Sequence, residues 1–198
     1  MWPEIKRKFF HLAALIYVLG VIYLPRSQFI LLLFAWFAVE FVLETARRRE
    51  IIFNDWLFQR FGGLFRPEER RNFSGIFWMI LGVLTTVLLI RSVPVAVTVL
   101  LYLILGDGVA SLVGMRWSGP HWPGSKKRLS GSLACFLICL VIGVTMLRPA
   151  YGWSGVFWGA AAATLLELGV LPINDNFLVP AGSSLVMMAC YGLRPVFL

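Results

Sequence analysis

Apolar blocks of membrane-spanning length recur along this chain with very little between them. They fall at about 9–24, 28–45, 73–90, 94–116, 131–147, 153–168 and 177–193. Each is near the ~20 residues that an α-helix needs to cross a hydrocarbon layer. In lipid a backbone must satisfy its own polar groups, so blocks of this kind fold as helices. Nothing remains for a separate soluble core. The expectation is an all-α, polytopic integral membrane protein of about seven transmembrane helices, with residues 1–198 forming one domain. Composition agrees: 59% of residues are apolar and 14% are charged, well outside the range of a soluble globular domain.

The net charge of +8 would suggest a nucleic-acid partner in a soluble protein. Here the distribution of cations explains it instead, and no nucleic acid is expected. Lys6, Arg7 and Lys8 precede the first block. Arg47, Arg48, Arg49, Arg60, Arg66, Arg70 and Arg71 lie after the second, and Arg116, Lys126, Lys127 and Arg128 after the fourth. The alternate side holds only Arg26, Arg91, Arg148 and Arg194. The positive-inside rule therefore puts the N-terminus in the cytoplasm and the C-terminus outside, in a cell inner membrane. The first block has a basic start, but "YLPRSQ" offers no small-residue cleavage site, so it reads as an uncleaved span. Cys135, Cys139 and Cys190 lie inside spans without a CxxC spacing, as small packing residues do.

An ionisable group inside a span is costly and needs a reason. Asp107 lies inside the fourth block, ~10–15 Å short of its cytosolic end at helical rise. Glu167 closes the sixth block, Asp175 and Asn176 open the seventh, and His11 is in the first turn of the first. Glu40 and Glu44, four apart, share one face of the second. All fall in the inner half. That points to a polar site open to the cytosol, since an ion path would need stations at both depths.

The loop after Asp107, "GPHWPGSKKRLSGSLACF", brings Lys126, Lys127 and Arg128 to Ser130, Gly131 and Ser132 at the start of a helix. A helix start presents free N–H groups and a positive dipole end, and cations beside it make a phosphate seat. The same cations also serve as orientation markers, and both readings stand at this point. Two further patterns are open in the same way. Phe53, Trp56, Leu57, Phe61, Leu64 and Phe65 fit a surface-lying amphipathic segment, interrupted at Gly62 and Gly63, or a solvated connector. Gly106, Ala110 and Gly114, and then Gly155, Gly159 and Ala163, form small-residue stripes that permit close helix packing. Carboxylates able to hold Mg²⁺ beside cations able to hold phosphate are the parts of a phosphoryl-transfer site.

The segment "GDGVASLVGMRW…KKRLSGSLACF" resembles the signature of the CTP-dependent lipid kinases, G-D-x-x-A-x-x-x-G followed by a short Gly/Pro loop and K-[ST]-x-x-G-S. Gly106, Asp107, Ala110 and Gly114 match, as do Lys127, Gly131 and Ser132. Weaker likenesses are "RKFFH" (Arg7, Lys8, His11), "ETAR" (Glu44, Arg47), Glu69 before "SGIFWMILG", and "ELGVLPINDNFLVP" with Glu167, Asp175, Asn176 and Pro180. The resemblance implies Mg²⁺-dependent transfer of the terminal phosphate of a nucleoside triphosphate, typically CTP with ATP as the alternative, to the hydroxyl of a polyprenol, phytol-like alcohol or diacylglycerol. It implies that Asp107 ligates Mg²⁺ or orients the acceptor. Lys127 would hold phosphate with Gly131 and Ser132, beside Lys126, Arg128 and Ser130. Asp175 and Asn176 would make a second metal or polar contact supported by Glu167. His11, Glu44, Arg47 and Glu69 are further candidates. Arg128 stands where the family pattern has Ser or Thr, and Ser130 is the nearest hydroxyl. The runner-up is a phosphatidate cytidylyltransferase-like enzyme, whose C-terminal signature is replaced here by "NDNFLVP". A non-catalytic scaffold or small transporter is a distant third.

Overall fold

The computed structural model describes residues 11–61, 65–117, 119–147 and 151–193. Lys6, Arg7, Lys8, Arg148 and Arg194, with Gly62, Gly63 and Leu64, lie outside the described residues. Each apolar block becomes a helix. In chain order they are α1 (Leu15–Tyr23), α2 (Arg26–Arg49), α4 (Gly75–Leu89), α5 (Val93–Arg116), α6 (Leu129–Met146), α7 (Trp153–Glu167) and α8 (Asp175–Tyr191). A short helix, α3 (Ile51–Phe61), follows α2 and leads to a 3₁₀ turn at Pro67–Arg70. Among the described residues there is no β-strand, only one isolated antiparallel bridge between His121 and Arg128. Among the described residues, three helices, α2, α5 and α6, are both long and apolar enough to cross a membrane.

The helix ends follow ordinary rules. Ser74 caps α4 by accepting from the Phe77 N–H at 3.2 Å, and Asn174 caps α8 by accepting from the Asn176 N–H at 3.0 Å. Both side-chain oxygens satisfy donors that a helix start leaves orphaned. Pro94 sits in the first turn of α5, where its missing N–H costs nothing. Arg26 reaches across to donate to the carbonyls of Val87 and Ile90 at the end of α4. A cation there satisfies orphan carbonyls and complements the helix dipole.

Helices α4, α5, α6, α7 and α8 pack together, with α1 against α5 and α2 against α4. Close approach is set by the small residues. A Cβ on Gly131 of α6 would meet the Ala110 carbonyl oxygen of α5 at 2.5 Å, and one on Gly82 of α4 would meet the Asn176 carbonyl oxygen of α8 at 2.7 Å. Gly155 and Gly159 of α7 accept Tyr191 and Met187 of α8, and Gly106 accepts the thiol of Cys139. Cys135 and Cys139 are buried free thiols in this packing. The apolar core runs through Ile80, Val83, Val99, Leu100, Tyr102 and Met187.

Helix α5 has a feature that its sequence does not announce. Residues Tyr102–Gly106 form a π-helical turn, directly before Asp107. Such a turn inserts one residue into the α-helical rhythm. It rotates everything after it by roughly 100° relative to the first half of the helix. Asp107 is therefore aimed by the bulge as well as by its position.

Candidate active site

Asp107 on α5, Glu167 at the end of α7 and Asp175 at the start of α8 are all buried, and all three face one cation. The Nζ of Lys127 donates to Glu167 Oε1 and, at 3.2 Å, to Asp175 Oδ2. It lies 3.7 Å from Asp107 Oδ1. Burial alone would lower the pKa of this ammonium, but Asp107, Asp175 and Glu167 more than reverse that, and the net shift is upward from the ordinary lysine value. Lys127 is thus held protonated. The second oxygen of Glu167 is buried with no hydrogen-bond partner among the described residues.

Lys127 reaches this position because its loop is tied down at several points. The Trp122 N–H donates to the Lys127 carbonyl at 3.0 Å, and the Leu129 N–H donates to that of Pro120 at 3.0 Å. Gly124 makes the turn with φ of +74°, a conformation that side chains disfavour. The Ser125 hydroxyl accepts from the Lys127 N–H at 3.0 Å and donates to the Leu168 carbonyl, which fastens the loop to the end of α7. Trp122 Nε1 donates to Ser132 Oγ at 3.1 Å. Trp122 and Ser125 carry this architecture and were not among the expected site residues. The only advance signal was the Pro-Gly-Ser turn just before the lysines.

Two clefts open beside Lys127. The smaller, about 550 Å³, is lined by Arg66, Lys126, Lys127 and Arg128 together with Gly131, Ser132 and Glu167. This is the cationic helix start that the sequence suggested, with Arg66 added from the 3₁₀ turn. The larger, about 930 Å³, runs between Phe65, Phe73 and Trp78 on one wall and Lys127, Pro172 and Asp175 on the other. Lys126 is exposed, whereas Ser132 is buried and bonded inside the protein. The Ser130 hydroxyl donates to the Trp117 carbonyl at 3.4 Å.

Other expected residues lie around the cluster rather than on the lysine. His11 Nε2 donates to the Leu103 carbonyl at 3.3 Å and is 3.9 Å from Asp107 Oδ2. Asn176 is turned away: its amide donates to the Gly75 carbonyl at 3.0 Å, joining α8 to α4. The structure therefore groups Glu167, not Asn176, with the two aspartates. Among the described residues, no three His, Cys, Asp or Glu side chains are already gathered as a metal-binding group. The three carboxylates are instead arranged around an ammonium. As a donor set, hard anionic oxygens around a cation suit Mg²⁺.

Glu44, Arg47 and Glu69 form a second buried network at the same end of the bundle. Arg47 Nη2 donates to Glu44 Oε2 at 2.6 Å and to the Asn72 carbonyl at 2.8 Å, and Nη1 donates to the Glu69 carbonyl at 2.8 Å. Glu69 Oε1 accepts from the Gly75 N–H at 3.1 Å. Glu40 accepts from the Ser74 hydroxyl at 3.3 Å. These bonds lock residues 69–75 onto α2 and set one wall of the larger cleft.

Fold and site together define an all-helical membrane protein with a carboxylate–lysine centre and a cationic cleft at one end of its bundle. No family model and no solved structure matches the chain. Among individual proteins, it is 30% identical over 186 residues to an uncharacterized protein of Rickettsia prowazekii, covering 89% of each chain. It is 27% identical over 216 residues to CTP-dependent diacylglycerol kinase 1 of Saccharomyces cerevisiae, covering 94% of this chain and 73% of that one. It is 31% identical over 138 residues to dolichol kinase of the same yeast, covering 63% of this chain and a quarter (25%) of the kinase. The chain is thus similar, over most of its length, to CTP-dependent kinases of lipid alcohols.

Proposed function

We propose that this protein transfers the terminal phosphate of a nucleoside triphosphate, CTP, to the hydroxyl of a lipid alcohol at the cytosolic face of a membrane. In this reading all seven apolar helices cross the bilayer, with the carboxylate–lysine end toward the cytosol. The acceptor is a polyprenol, a phytol-like alcohol or a diacylglycerol. The observation that carries the reading is the convergence of Asp107, Glu167 and Asp175 on Lys127, at the edge of a cleft rich in cations.

Each part has a chemical task. Arg66, Lys126, Lys127 and Arg128 hold the phosphates and offset the negative charge that moves to the leaving nucleoside diphosphate. Positioning and charge stabilisation of this kind supply most of the catalysis in phosphoryl transfer. The acceptor oxygen forms a bond to the terminal phosphorus as the bond from that phosphorus to the bridging oxygen breaks. The acceptor proton passes to a carboxylate, for which the unpartnered Oε2 of Glu167 is suited. Asp107 and Asp175 are the carboxylates that would hold Mg²⁺, which would supply a further positive charge at the transferring group. Lys127 lines both clefts, so one ammonium serves carboxylates and phosphate alike. The aromatic wall of Phe65, Phe73 and Trp78 suits a nucleobase or a lipid.

The test is an assay of purified protein in detergent with Mg²⁺, a panel of phytol, polyprenol, diacylglycerol and phosphatidate, and CTP or ATP labelled in turn on the γ-phosphate and on the nucleoside. Label from the γ-phosphate on an alcohol supports the proposal. Cytidine label on phosphatidate would replace it with a cytidylyltransferase.

A further inference from the structure

We propose that the elbow between α2 and α3 is a binding site for the headgroup of an anionic phospholipid drawn from the surrounding leaflet. Three observations place it there. The first is level. Helix α2 presents Leu31, Leu32, Trp36, Val39 and Val42 outward, all exposed, and then ends in the exposed Arg48 and Arg49. A bilayer-facing apolar surface that ends in arginines marks the headgroup zone.

The second observation is the start of α3. The chain bends at Glu50 into a helix whose first two residues, Ile51 and Ile52, are 75% and 85% exposed, followed by Trp56 at 53%. Adjacent exposed isoleucines are poorly placed in water, whereas aliphatic and Trp side chains suit the boundary between headgroups and acyl chains. The structure thus supports the surface-lying reading of this segment over the solvated connector.

The third is the cavity within the elbow, about 820 Å³, which has Arg48, Arg49, Arg70 and Arg71 in its lining with Asn54 and Asp55. Four guanidinium groups face one carboxylate, and Arg70 is paired with Asp55. The remaining surplus matches a headgroup phosphate carrying a second negative charge or an unneutralised diester. Arginine forks bind phosphate oxygens in a bidentate way, which favours this ligand over a diffuse counter-ion cloud. Arg48 also stacks over Phe73, 4.5 Å from the ring centroid, and lines the larger cleft of the candidate active site. A lipid held at the elbow would therefore sit one side chain from that cleft. The inference rests on α2 crossing the bilayer, as in the proposed function, but not on phosphoryl transfer.

The experiment uses the full chain in mild detergent without nucleotide. Bound dioleoyl phosphatidylglycerol and dioleoyl phosphatidylcholine are counted by native mass spectrometry, with inorganic phosphate as competitor. Basic residues at a leaflet surface contribute roughly fivefold each in affinity, so the unaltered protein should prefer phosphatidylglycerol by at least ~tenfold. Arg48→Gln/Arg49→Gln/Arg71→Gln should bring the two lipids within about twofold of one another. Arg60→Gln/Arg91→Gln/Arg116→Gln, with the same change in net charge, should keep the preference. Arg71→Glu alone, at an exposed position, should lose roughly fivefold or more. Equal losses in the two triple variants, no preference in the unaltered protein, or full displacement by inorganic phosphate at equimolar concentration would each overturn the proposal. Because no turnover is measured, an inactive kinase assay and a failed lipid preference are separate results.

Discussion

Lys127→Met removes the single cation shared by Asp107, Glu167 and Asp175 and leaves the packing of the methylene stem nearly intact. Breaking a buried ion pair from one side costs about 3–5 kcal/mol, because the remaining charge stays buried without compensation. The lysine side chain is 28% exposed, so water screens part of the interaction and the lower end, about 3 kcal/mol, is expected. For a chain of this size that is roughly 6–12 °C in Tm, read by thermal unfolding in detergent. A charge origin has a signature that simple packing loss lacks. In the unaltered protein, Glu167→Gln removes a charge-assisted hydrogen bond and should destabilise by about 1.5–3 kcal/mol. In the Lys127→Met background the same change removes an unpaired buried charge and should stabilise. The sign must reverse. The pH dependence follows from the raised pKa of Lys127: its contribution is complete below the unfolded lysine value of 10.5 and is lost only as pH rises above that through the folded value. The gap between the unaltered protein and Lys127→Met should therefore be flat from about pH 7.5 to 9.5. If Glu167→Gln destabilises both backgrounds equally, the lysine does not compensate the carboxylates and the account of the site is wrong.

Lys127→Ala should abolish most turnover in the labelled-CTP assay, while Lys126→Ala, at an exposed neighbour, should do far less; equal mild effects would reduce both to orientation markers. Asp107→Asn should fold and insert normally yet lower turnover by ~100-fold, the scale for loss of a charge-stabilising group, and near-native activity across a Mg²⁺ titration would remove it from the mechanism. Gly131→Ala forces a Cβ to within 2.5 Å of the Ala110 carbonyl oxygen, whereas at Gly108 nothing lies within 4 Å. The first should lower Tm clearly and the second should leave it unchanged or raise it slightly, since alanine is the better helix former. Lys126→Cys and Ser27→Cys, each in a Cys190→Ala background, should label from opposite sides of sealed vesicles, and labelling from one side would overturn the seven-span orientation.

Much of this molecule is legible along the chain. A run such as "FILLLFAWFAVEFVL" has no other way to satisfy its backbone in lipid than as a helix, and each apolar block did become one. The residues that break those blocks, Asp107, Glu167 and Asp175, identify themselves because a carboxylate in such a setting demands a partner. What the chain could not disclose is the partner. Lys127 looked like a phosphate ligand; in the fold its ammonium is shared by carboxylates 40 and 48 residues away, a pairing that depends on how α5, α7 and α8 meet. The face taken by Asp107 was equally hidden, because the π-helical turn at Tyr102–Gly106 shifts the helical register just before it. Asn176 followed the same logic in reverse, adjacent to Asp175 in sequence yet pointed at Gly75 of α4. Local chemistry sets which residues are polar and which segments are helical, since both follow from short-range backbone and solvation energies. Which polar groups meet depends on crossing points between helices, and those are set by glycine contacts and loop anchors such as Ser125 that no periodicity records.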